Sequence, residues 1–257
     1  MEKRKRHILI GTGIGLAVVA AVCVCIGISI STAPPHEPSE NAVNLVKDAV
    51  STIDENEFVE NPIDFDAVIE EYPDAYAWLK ISGTDIDFPV VQHPTDDFFY
   101  LDHNATGEPD NNGAIYTEMC NSKNMDDPVT VIYGHNMNLS GAMLNQMLLF
   151  EDEDFFNENE YFEIYTPGHI LRYRIISAYV SDDRHIMNSF DFSNETTREE
   201  YFDFVCDPRS LAVNSREGVK LESTDKIVQI STCTSVPGLL EARYLLTGVL
   251  IEDSLTK

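Results

Sequence analysis

Three side chains in this sequence are of the types that thiol-based acyl transfer needs: Cys233, His135 and Arg243. Such chemistry uses a thiolate nucleophile, a proton donor for the leaving amine, and positive charge or N–H donors for the developing oxyanion. Cys233 ends the alternating apolar run 226–233 (KIVQISTC), which reads as a buried strand, and the turn-like 235–238 (SVPG) follows. A thiol at a strand end is held by the sheet behind it and open to solvent ahead. His135 closes a second strand-like run, 130–135 (TVIYGH), and Arg243 lies in a third, 242–251. A cation close to a thiol favours the thiolate. Cys233 and His135 are 98 positions apart, so only the fold can bring them together. The expectation is one catalytic centre at a mouth of the folded body.

Each residue alone has an ordinary structural explanation. Free cysteine is among the most buried residue types. A histidine after Gly134 can cap a turn, and an arginine among so many carboxylates can pair with one. Their shared position, at the ends of strands or within them, separates them from that background. His93 and His103 lie in polar loops, His169 at a hairpin tip, His185 in the mixed stretch 181–194, and His7 and His36 flank an apolar run. None has a strand leading into it. There is no HExxH, CxxC, GxGxxG or phosphate loop, and the acidic run 151–154 lacks a calcium-loop pattern. Neither a metal nor a cofactor is expected. Cys120 and Cys206 are isolated and read as small buried or semi-buried residues; no spacing rule supports a disulfide between them.

The elements that must position these residues follow from periodicity. The chain has 257 residues, 43% hydrophobic, with net charge -27, which suits one ordinary domain and a tail. Lys3, Arg4, Lys5, Arg6 and Glu2 lie in the first 30 residues, so 13 of 17 basic and 43 of 44 acidic residues belong to 31–257. So acidic a domain excludes nucleic-acid binding through phosphate contacts. Residues 8–30 are 23 positions without a charge, roughly 35 Å as a helix and long enough for a bilayer core of about 30 Å. That length favours a retained anchor over a cleaved signal peptide, and the basic cluster predicts a cytoplasmic N-terminus. The expected division is a basic tail at 1–7, a transmembrane helix at 8–30, a spacer at 31–38, N-terminal helices at 39–75 and a β-barrel domain at 76–257. Helices are expected over 39–60, from a cap at Asp64 to Glu71, over 140–150, over 152–157 and over 195–205, the last burying Tyr201, Phe202 and Val205. Hairpins are expected at 77–92 and 161–180, with Pro89 at an edge or bulge, and strands at 114–117 and 129–134. About eight short strands with few helices predict a mainly β fold, a closed or nearly closed barrel with appended helices.

The runs VIYGHNM (131–137), ISTC (230–233) and RYLLTG (243–248) together resemble the sortases, a likeness extending over about 76–251 and including IDFPVVQ (86–92), YLDHN (100–104) and GAIY (113–116). Helices ahead of the barrel and a helix between the sixth and seventh strands are similar to class B. The resemblance implies an eight-stranded sortase barrel and a membrane-anchored cysteine transpeptidase of a Gram-positive cell surface, single-pass with its catalytic domain outside. It implies cleavage of an NPxTG-like C-terminal sorting signal between Thr and Gly through a thioacyl-enzyme. Its partners would be sorting-signal-bearing surface proteins and a peptidoglycan or pilin amine. Carried over, Cys233 is the nucleophile, His135 the general acid/base and Arg243 the oxyanion and substrate partner. Leu101, Asn104, Ser231, Thr232 and Ile186 would meet the substrate. Some relatives carry an acidic residue just after the cysteine, whereas Thr234 and Ser235 follow here. The competing functions are a thiol peptidase that only hydrolyses and a non-catalytic, membrane-tethered binding module.

Overall fold

The computed structural model describes residues 58–210, 212–234 and 241–257. The expected membrane span, the spacer and nearly all of the helix at 39–60 lie outside them. Among the described residues no helix is long and apolar enough to cross a membrane.

The first helix, α1 (Phe65–Glu71), starts where predicted: the Asp64 carboxylate accepts from Ala67 N at 3.2 Å. Strands β1 (Ala75–Ile81) and β2 (Asp87–Val91) form the first hairpin. Pro89 stands one residue short of the stretch that β3 (Ile115–Tyr116) pairs with, so the ladder meets it only from the β1 side. β4 (Val129–Tyr133) follows, and then a small separate ladder of β5 (Asn136–Met137) and β6 (Ala142–Met143). The helix expected over 140–150 is absent. Gly141 and Met143 have φ of 71° and 56°, which turns the chain out of a right-handed helix; a 3-10 segment, Asn145–Glu151, follows instead. Asp152 then caps α2 (Glu153–Glu158).

β7 (Tyr161–Thr166) and β8 (His169–Ser181) make the second hairpin. The mixed stretch contains a four-residue helix, α3 (Ile186–Ser189), and α4 (Glu195–Cys206) buries Tyr201, Phe202 and Val205 as its periodicity predicted. A short strand β9 (Val213–Ser215), which had no legible sequence pattern, precedes β10 (Ile227–Cys233) and β11 (Arg243–Leu255). The pairing order is β11-β10-β4-β3-β2-β1-β7-β8, and β8 pairs back onto β11, closing an eight-stranded barrel. β9 is an extra strand on β8, outside the ring. The helix between the sixth and seventh barrel strands is α4.

The alternation of β4, β10 and β11 separates two interiors. Ile132, Val228, Ile230, Tyr244 and Leu246 belong to the core inside the barrel. Val129, Val131, Ile227, Leu245 and Val249 belong to a second core, under α4. β10 is therefore buried on both faces, and its polar residues Gln229, Ser231 and Thr232 are buried along with its apolar ones. Buried Gln229, on the α4 side, is satisfied by the hydroxyls of Tyr201, Tyr179 and Thr247.

Candidate active site

The parallel pairing of β4 and β10 brings the ends of both strands to the same place. Tyr133 lies beside Ser231, Gly134 N donates to the Ser231 carbonyl at 3.2 Å, and the Thr232 hydroxyl donates to the Gly134 carbonyl at 2.8 Å. β11 runs antiparallel to β10, and its first residue, Arg243, stands directly opposite Cys233, the last residue of β10. Side chains of opposed residues leave the same face, with Cα atoms about 4.5–5.5 Å apart. By the same alternation Tyr133, Ser231, Cys233, Arg243 and Leu245 all project from the α4 face of the sheet. The expected mouth is thus a cleft on the outer wall of the barrel, at the end of the face that α4 leaves uncovered. Its volume is about 290 Å³, and Cys233, His135 and Arg243 all line it.

Cys233 is half-buried. Its carbonyl accepts from Asn136 Nδ2 at 2.7 Å, and Asn136 Oδ1 in turn accepts from Asn145 Nδ2 at 2.7 Å. The β5–β6 ladder thereby holds the backbone of the cysteine. His135 Nε2 lies 2.7 Å from the Leu101 carbonyl. A carbonyl only accepts, so that nitrogen carries a proton, and in the neutral ring Nδ1 is the open acceptor. Among the described residues no carboxylate forms an ion pair with Arg243; its Nη1 donates to the carbonyls of Glu241 at 2.7 Å and Ala242 at 3.3 Å. A thiol, an imidazole and a guanidinium that share one cleft are groups of the types that acyl transfer uses.

The floor is aromatic and acidic. Tyr116 and Tyr133 stack at 5.5 Å, and burial raises both hydroxyls well above the usual tyrosine range. Arg243 opposes this rise at Tyr116. The Glu118 carboxylate is held by His185 Nε2 at 2.6 Å. Burial raises its pKa and the His185 bond works against that rise.

Among solved structures, sortase B of Clostridium perfringens superposes on this chain with a TM-score of 0.65 and 34% sequence identity, covering 74% of this chain and 100% of that one. The chain belongs to the class B sortases. It is a cysteine transpeptidase of the sortase type. Sortase B of Listeria monocytogenes is 28% identical to it over 178 residues, 69% of this chain and 70% of the relative. The Staphylococcus aureus sortase B–substrate complex shares the fold with a TM-score of 0.63, at 22% identity, over 73% of this chain and 84% of that one. No family model matches the chain.

Not all of the residues expected to meet a substrate reach the cleft of this sortase. Leu101, Ser231, Thr232 and Ile186 line it. Leu101 is 40% exposed there, and its carbonyl also holds His135, a contact no local pattern announces. Asn104 is elsewhere. Its Oδ1 accepts from Thr106 N, Thr106 Oγ1 and Glu108 N at 3.0, 2.7 and 3.1 Å, so it shapes its own loop rather than the cleft. Sequence reasoning passed over Tyr116, Tyr133 and Glu118, and set His185 aside as a loop histidine. For the tyrosines a signal existed, since Tyr133 shares the alternation that exposes Cys233's face. Cys120 and Cys206 are free thiols; Cys206 is half-buried, within the expectation, whereas Cys120 is exposed as a residue although its sulfur is partly sheltered.

Proposed function

We propose that Cys233, His135 and Arg243 are the catalytic residues of this sortase, acting on a C-terminal sorting signal of NPxTG-like form. The Cys233 thiolate attacks the Thr carbonyl carbon, and protonated His135 gives its proton to the glycine nitrogen as the C–N bond breaks. The product is a thioacyl-enzyme. Arg243, which forms no ion pair with a carboxylate among the described residues, stabilises the oxyanion. A cell-wall or pilin amine then attacks the thioester, loses a proton to His135 and releases the thiolate. Leu101, Ile186 and the backbone around Ser231 and Thr232 contact the peptide along the cleft. The single observation that carries this reading is the register that sets Cys233 opposite Arg243 beside the end of the strand leading to His135.

The N-terminal run 8–30 anchors the chain in the cell membrane as a single span, with the basic cluster inside and the barrel outside. What supports this is the uninterrupted apolar length and the position of the four basic residues. Protease treatment of intact cells should release the barrel domain; protection of that domain would overturn the orientation.

The reaction is tested by screening NPxTG-, SPxTG- and LPxTG-type peptides against the full-length chain, with mass analysis for an acyl adduct on Cys233. The expected result is cleavage between Thr and Gly, a new amide product only when an amine is supplied, and no adduct in Cys233→Ala. Product made equally well by Cys233→Ala, or no transfer to any amine, would refute the proposal.

A further inference from the structure

The wall of the cleft that carries Ile186 is a segment, residues 182–189, hung between the end of β8 and the approach to α4. It starts beside Ser181, which pairs with Arg243. Among the described residues most of its polar side-chain bonds are internal. Arg184 holds Asp182 through Nη2 at 2.8 Å and Nε at 3.1 Å, and His185 Nδ1 accepts from Asn188 N at 3.2 Å. One bond leaves the segment: His185 Nε2 to Glu118 Oε1, 2.6 Å long, between residues 67 positions apart. The tautomer is forced. An imidazole that accepts at Nδ1 from a backbone N–H carries its proton on Nε2, and therefore donates to the Glu118 carboxylate.

The acceptor end is rigid. Glu118 has a side chain only 7% exposed, against 32% for His185. Its backbone carbonyl accepts from the buried Gln92 Nε2 at 2.8 Å, and the same amide binds Thr117 Oγ1 at 3.1 Å and the Asn121 carbonyl at 2.8 Å. Glu118, two residues past the end of β3, thus reaches across the cleft floor to the loop. Charge-assisted bonds of this kind are short and stronger than neutral ones, and shelter from water strengthens them further.

We propose that Glu118 and His185 are positioning residues that pre-set the 182–189 wall in the conformation that accepts the sorting-signal peptide. The kinetic consequence rests on the transpeptidase reading above; the structural consequence does not. Without the tie, the wall samples open positions, and the competent fraction falls to about one tenth, taking apparent affinity with it by the same factor. The reacting groups are untouched.

The test uses the full-length chain as wild type, Glu118→Ala, Glu118→Gln and His185→Ala. Peptide cleavage should show KM raised about tenfold in Glu118→Ala and His185→Ala with kcat within about twofold, while Glu118→Gln, whose amide oxygen still accepts from His185 Nε2, stays within about threefold of wild type. Amide hydrogen exchange over residues 182–189 should quicken about tenfold in both alanine variants and not in Glu118→Gln. Alkylation of Cys233 by iodoacetamide should be unchanged throughout. Unchanged KM and exchange in the alanine variants, a loss confined to kcat, or a glutamine variant as impaired as the alanine would each overturn the proposal. If the wild type cleaves no peptide, the sorting-signal reading fails and the exchange result alone decides the positioning role. If Glu118→Ala does not fold, His185→Ala, which cuts the same bond from its more exposed end, must show both effects.

Discussion

Gly113→Ala should damage stability and activity together, through contacts that can be enumerated. Gly113 has φ of 64°, and a Cβ there would lie 2.6 Å from the Tyr100 carbonyl oxygen, 3.0 Å from the Leu101 carbonyl oxygen and 3.0 Å from His135 Cδ2. The left-handed conformation costs an alanine about 1–2 kcal/mol. Relieving the crowding costs roughly 1–3 kcal/mol more. The Tyr100 carbonyl is pinned by Ala114 N at 3.0 Å, so the yielding groups are Leu101 and the His135 ring, the two partners of the 2.7 Å bond that orients the imidazole. Displacing a reacting group by about 1 Å is enough to lower turnover on the order of a hundredfold. The combined loss of about 2–5 kcal/mol corresponds to a fall in Tm of about 4–20 °C for a domain of this size. Gly107→Ala is the control: its φ is 83°, yet nothing lies within 4 Å of the added carbon. It should lose only the conformational share and keep full activity. Urea unfolding followed by the single tryptophan, Trp78, measures stability, and initial rates of peptide cleavage measure function. A Gly113→Ala enzyme as active as Gly107→Ala would refute the claim that this glycine makes room for the histidine.

Asn136→Ala removes the 2.7 Å bond to the Cys233 carbonyl and should lower kcat about tenfold, with unchanged circular dichroism, because it loosens the nucleophile's backbone and not the core. Arg243→Lys keeps the charge but loses the planar fork; transpeptidation should fall at least about tenfold while Tm barely moves, and a fully active lysine variant would contradict the oxyanion role. The Cys120 thiol is pushed up to about 11 by burial of its sulfur and by the carboxylates of Glu118 and Asp97. Only about one part in a thousand is thiolate at pH 8, so its alkylation, followed by mass spectrometry, should rise about tenfold per pH unit between 8 and 10. A plateau already at pH 9 would show that those groups do not act on the thiol.

The local elements were legible because the signals that encode them are local. Asp64 and Asp152 cap helices from three residues away, and Tyr201, Phe202 and Val205 share one helical face. Alternation along 226–233 is a period-two property of the strand itself, so it marked Cys233 as a strand-end thiol before any neighbour was known. The helix expected over 140–150 failed where the spacing of its apolar residues was outweighed by positive φ at Gly141 and Met143. Which strands stand side by side is not local. The closure of β8 on β11, the outer-wall position of the cleft, the Leu101 carbonyl on His135 and the Glu118–His185 tie each join residues far apart in sequence. The chain alone determined which residues could do chemistry and which segments could carry them. The tertiary structure alone decided that Cys233, His135 and Arg243 line one cleft and that Asn104 does not line it, because proximity across tens of residues is set by barrel closure and register, to which short-range periodicity is blind.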